Sequence, residues 1–256
     1  MYDPSSPMLR SALSDGGLPS PDAKSRFAED RMLVAAIWCE IRPGEVITEA
    51  DVMDRFGLSR AAARAGLTRL GFDGWATPKA RMGWEVLPIT GQLIGDVLEA
   101  RRIVEPGLAR VTLSPDARSE LEQIAAILSA LARGENDAAL SSIRQHVDRI
   151  DGLLLGAMNP FTARHLRKLW HHSARITHFL EGDSGTLFRR DDVFDLLTAV
   201  LGNDTAGVER ARLALISAQE RYFLNQLLKN DAPLMPGSGM AARKSQKDAA
   251  SNRRLS

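Results

Sequence analysis

Arg60, Arg64 and Thr68 recur every fourth residue in "GLSRAAARAGLTRLGF", so an α-helix there carries all three on one face. Ala63, Leu67 and Leu70 fall on another face and suit a core. Two guanidinium forks beside a hydroxyl match an anionic, acceptor-rich partner such as phosphate or a base edge. The alternative is an ordinary solvated helix face. A second group lies in "WHHSARITH", where His171, Arg175 and His178 are three to four residues apart and can share a face. His146 could meet them across a helical bundle, and Arg101 pairs with Glu105 at i, i+4. These residues could take a small organic acid or a metal ion, or they could be surface histidines with Trp170 in the core. Arg101 is read as bracing the bundle, with a place in an effector cavity as the alternative.

Catalysis has no comparable set. No nucleophile stands beside a base, no glycine-rich phosphate loop is present, and Cys39 is read on an apolar helix. The chain is not expected to be an enzyme.

The elements that must position the first group are legible. "RFAEDRMLVAAIWCEI" offers an apolar face through Leu33, Ala36, Ile37 and Ile41, stopped by "RPGE". Next, "TEADVMDRFGLS" has Thr48 as an N-cap, Asp51 as the carboxylate reaching back, Val52 and Phe56 as a stripe, and Gly57 as a stop. Ser59 caps the helix that carries the arginines. Two short helices around a glycine turn predict a helix-turn-helix, whose second helix enters the major groove. "GWATPK" and "MGWEVLPI" predict a hairpin around "ARMG", with Trp75 and Val86 inward and Gly83 at positive φ. From Arg60 to Arg81, Arg60, Arg64, Arg69, Lys79 and Arg81 stand against Asp73 alone, a local charge of +4. The whole chain carries only +1, so affinity for a polyanion must come from this clustering.

With 256 residues, 44% of them hydrophobic, the chain can build two cores. We read residues 1–25 as a flexible arm, 26–90 as the winged helix-turn-helix domain, 91–230 as a helical effector-binding and dimerisation domain, and 231–256 as a disordered basic tail. Helices are predicted over 91–112, 115–133, 136–157, 160–181, 186–202 and 205–229, an antiparallel bundle in a mainly α protein. Starts are marked by Ser114-Pro115, Asn159-Pro160 and Asn203-Asp204. One cysteine, no long apolar run and a polar start without a signal-peptide pattern point to a soluble cytoplasmic protein.

The run "IRPGEVITEADVMDRFGLSRAAARAGLTRLGFDGW", followed by "GWEVLPI", resembles the winged helix-turn-helix of the GntR family of bacterial transcription regulators. "EARRIVEPGLARV" is similar to the opening of that family's FadR-type effector domain, the FCD domain. The resemblance implies a homodimeric repressor on a palindromic DNA operator; a small organic acid held by the histidine and arginine group of the helical domain is the expected effector. It places Arg60 and Arg64 at the DNA, with Gly83 near the minor groove; Ser59 and Thr68 on the same helix and Arg81 in the wing are read as DNA-binding beside them. The chain departs from the family pattern at Ala61 and Ala62, which offer methyl contacts in place of hydrogen bonds. It departs again at the metal site. The implied Asp-x-x-x-His pair falls on His146 and Ile150, and no histidine follows His178, leaving Asp192 and Asp195 as nearby substitutes. No metal cofactor is expected. The second reading is a helical ligand-sensing or dimerisation protein whose DNA binding has weakened.

Overall fold

The computed structural model describes residues 21–131, 137–190 and 192–229, and the basic tail and most of the arm lie outside them. The described residues divide into two units that meet in sequence at Gly91 and Gln92.

In the first unit, α1 (Pro21–Ile37) precedes β1 (Val46–Ile47), α2 (Glu49–Phe56), α3 (Arg60–Phe72), β2 (Ala76–Lys79) and β3 (Gly83–Val86). The three strands pair antiparallel in the order β1-β3-β2. Pro78 is tolerated because β2 is an edge strand and needs no outward donor there. Strand β1 was not expected from the sequence; two residues are too short to show an alternation.

Helix α1 begins before the expected arm ends and stops at Ile37, ahead of "RPGE". Cys39 then takes a left-handed φ of 57°, so it lies in the turn after the helix and not on it. The expected face is fully buried at Ala36 and, beyond the helix end, at Ile41, but it is not where the rest of the burial falls. Ala28, Met32, Ala35 and Ala36 are fully buried, while Leu33 and Ile37 only flank the core. The small residues win because α3 approaches closely. At Gly66 an added Cβ would stand 2.7 Å from Met32 Cγ and 3.2 Å from the Ala28 carbonyl oxygen. That contact explains a glycine inside a helix, where it otherwise costs about 1 kcal/mol against alanine. Gly66→Ala should therefore lower stability by roughly 1–2 kcal/mol, because overpacking outweighs the gain in propensity. Urea unfolding would show it as a lower midpoint at unchanged slope.

The second unit contains α4 (Gly91–Val104), a 3-10 turn (Glu105–Arg110), α5 (Pro115–Leu131), α6 (Asp137–Gly156), α7 (Pro160–Ser184), α8 (Val193–Leu201) and α9 (Thr205–Lys229). The expected helix over 91–112 is cut at Glu105, because Pro106 cannot donate the next helical hydrogen bond. The helix expected from 186 starts only at Val193. Caps define other starts: Ser114 Oγ accepts from the Ala117 N–H at 3.2 Å and Asn159 Oδ1 from that of Phe161 at 3.0 Å. Before α9, Asn203 is left-handed and Asp204 does the capping, accepting from the Gly207 N–H at 2.9 Å. Leu121, Leu154, Leu166 and Leu196 are fully buried at the centre of this unit's core.

Candidate nucleic-acid interface

The local rules that build α2 and α3 place the expected reading face outward. Thr48 and Asp51 form a reciprocal capping box, with the Asp51 N–H donating to Thr48 Oγ1 at 3.2 Å and the Thr48 N–H to Asp51 Oδ2 at 2.8 Å. Gly57 closes α2 at a left-handed φ of 64°. Ser59 Oγ then accepts from the Ala62 N–H at 3.3 Å and starts α3. Arg60, Arg64 and Thr68 are exposed, while Ala63, Leu67 and Leu70 are buried beneath them. Ala62 is buried too, so only Ala61 keeps a methyl group on the outer face.

The hairpin turns through Ala80, Arg81 and Met82, closed by the Met82 N–H donating to the Lys79 carbonyl at 3.0 Å. Arg81 sits exposed at this tip with φ 65°, a conformation costly for a side chain other than glycine. Gly83 has φ 119°, and an added Cβ would lie 2.6 Å from the Ile47 carbonyl oxygen. The sheet itself therefore demands glycine at this position. Trp75 and Val86 are buried behind the hairpin.

The positive charge is less free than the sequence suggests. Glu49, at the start of α2, takes Arg64 with both oxygens: Nε donates at 2.7 Å and Nη2 at 3.3 Å. Arg64 holds the Glu49 carboxyl below its ordinary pKa chiefly through this hydrogen bond, and Arg60 adds to the field. Arg69 pairs with Asp73 at 2.7 Å and Lys79 with Glu85 at 2.6 Å. Glu49 and Glu85 lie outside the segment whose charge was counted, so that count overstates the unpaired charge. Arg81 makes no ion pair among the described residues.

In the helical unit the residues expected at an effector are divided. Arg101 is 2% exposed and serves as a brace. Its Nε donates to Glu105 Oε2 at 2.8 Å, and its Nη1 donates to Ser173 Oγ at 3.0 Å and to Gln219 Oε1. Glu105 also accepts from the Trp170 indole N–H at 3.1 Å and faces Arg212 at 3.7 Å. Arg212, fully buried beside the Trp170 ring, donates to Asp151 at 2.6 Å. Asp151 in turn accepts from Arg190 at 2.8 Å, and Arg190 grips Asp192. Burial alone would raise the Asp151 carboxyl, but Arg212 and Arg190 hold it below the ordinary range. Only the first pair of this chain of alternating charge is read from the sequence.

His171, Arg175 and His178 stand on α7, with Arg175 fully buried. His146 stands on α6, and its Nδ1–H donates to the Ser142 carbonyl at 2.7 Å. Ile150, at the second expected metal position, is buried in the apolar core. Among the described residues no three His, Cys, Asp or Glu side chains converge as a metal would need.

Burial, with help from Arg167, pushes the His171 pKa down to about 4. Burial pushes His172 to about 4 as well, with Arg175 the strongest of the positive neighbours that assist. Both imidazoles are therefore neutral at neutral pH and offer hydrogen bonds, not charge, to an acid. Because the folded pKa of His172 lies below its ordinary value, the stability tied to its neutral form is present above pH 6.5 and is lost on acidification toward 4. The loss attributable to His172 should approach the order of 3 kcal/mol. Unfolding measured across this window should show a shallower pH dependence for His172→Gln than for the native chain.

A capped two-helix turn followed by a β-hairpin is a winged helix-turn-helix, here joined in one chain to a helical domain. Solved structures with this fold include McbR/YncC of E. coli, 15% identical over 82% of this chain and all of that one, with a TM-score of 0.64. A GntR transcriptional regulator from Rhodococcus sp. RHA1 is 17% identical over 80% of this chain and 98% of its own, with a TM-score of 0.59. No family model matches the sequence, and no curated protein does. No helix among the described residues is long and apolar enough to cross a membrane.

Proposed function

We propose that the protein is a DNA-binding transcription regulator of the GntR type, a homodimeric repressor whose two α3 helices read a palindromic operator. The observation that carries this reading is the capped α3 with Arg60, Arg64 and Thr68 exposed along one face. The wing tip Arg81 and the resemblance of fold to GntR-type regulators support it. A small organic acid bound in the helical domain would alter the spacing of the two reading helices. The neutral histidines and buried Arg175 on α7 are compatible with a hydrogen-bonded carboxylate there. A second reading, a ligand-sensing or dimerisation protein with weakened DNA binding, draws on the ion pairs that engage Arg64, Arg69 and Lys79.

Selection of binding sites from a random duplex pool, followed by titration of the winning site at two salt concentrations, separates them. A palindrome bound with steep salt dependence supports the regulator, since each phosphate contact releases counterions. No enrichment supports the second reading.

A further inference from the structure

We propose that Glu49 is a specificity-determining residue, which by clamping one edge of Arg64 makes Arg64 a reader of guanine. This rests on the DNA-binding reading above. A guanidinium has two edges that can make paired hydrogen bonds, one through Nε and a terminal nitrogen, the other through both terminal nitrogens. Glu49 occupies the first, at 2.7 Å from Nε and 3.3 Å from Nη2. The Arg64 side chain is nevertheless 68% exposed, and Glu49 leaves the two donors of the end-on edge, Nη1 and one Nη2–H, uncommitted.

Three consequences follow from that geometry. The long side chain is fixed before DNA arrives, which lowers the entropy lost on binding. The end-on edge offers two parallel donors, and on the major-groove side only guanine offers two acceptors, N7 and O6. Adenine sets a donor beside its N7, cytosine presents a donor, and thymine has one acceptor and a methyl group. Finally, the carboxylate repels phosphate, so an arginine held against it is turned from the backbone toward the base. Glu49 thus exchanges general affinity for discrimination, a negative charge kept at a surface otherwise selected to meet an anion. The capping of α2 does not depend on it, because Thr48 and Asp51 supply both capping bonds.

The test compares the native chain, Glu49→Ala and Arg64→Lys, by selection from random duplex DNA and then by competition titration of each base at every position of the native winner. Circular dichroism checks that all three fold alike. The expected native result is a guanine in each half-site whose replacement weakens binding about 10- to 100-fold. Arg64→Lys should abolish that preference and so map the contacted position. Glu49→Ala should reduce discrimination there below about threefold, while affinity for unrelated duplex rises severalfold and its salt dependence steepens. A merely structural role for Glu49 would leave the base preference intact. The inference is overturned if Glu49→Ala keeps the native preference, or if the position mapped by Arg64→Lys is not guanine. Failure of the native chain to enrich any site would overturn the DNA-binding reading itself, and this inference with it.

Discussion

On the proposed DNA-binding reading, Arg64→Ala should weaken binding to a selected duplex about 10- to 100-fold for each α3 helix engaged, with helicity and oligomeric mass unchanged. Two losses combine. In that reading the side chain that would reach a base edge is removed, and Glu49 would meet the DNA without the cation that engages both its oxygens. Folding should be indifferent, because the Arg64 side chain is 68% exposed and the buried face of α3 is carried by Ala63, Leu67 and Leu70. Fluorescence titration with labelled duplex beside circular dichroism checks both halves. Native affinity in the variant would mean that α3 is not the reading helix.

Glu105→Ala should be the most damaging single change in the helical domain. Glu105 is wholly buried, holds Arg101 with both oxygens, accepts from Trp170 and faces Arg212. Its removal strands one guanidinium and weakens the balance of another in an interior that cannot solvate either. Loss of one partner from a buried pair costs about 3–5 kcal/mol. For a domain of this size that is a fall in midpoint of roughly 10–20 °C. Thermal unfolding followed by circular dichroism reads it directly, and an unchanged midpoint would show that water reaches the site in solution.

What the sequence disclosed was the local chemistry. The Thr48–Asp51 capping box, the Gly57 stop, the Ser59 cap and the inward Trp75 and Val86 all follow from side chains within a few residues of the backbone they serve. Contacts across long sequence separations were hidden. Glu49 reaches Arg64 across the helix-turn-helix, and the reason for Gly66 lies in Met32 and Ala28 on another helix. Part of the buried ion network did leave a trace. On α9, Arg212, Gln219 and Gln226 recur every seventh residue along the same face as Val208, Leu215 and Phe223, and all three are buried. On α4, Arg101 continues the buried face of Ile94, Val97 and Leu98. Polar residues at apolar positions of a helical period signal an internal network, although periodicity cannot say which partner each will find.

The chain of charges from Arg101 through Glu105, Arg212, Asp151 and Arg190 to Asp192 also limits how such a domain can diverge. A lone exchange to hydrocarbon at its buried centre leaves a stranded ion, whereas replacing neighbouring partners together can be neutral or stabilising. Drift through this interior is therefore channelled into paired substitutions, in which a lost arginine on one helix is matched by a lost acid on another.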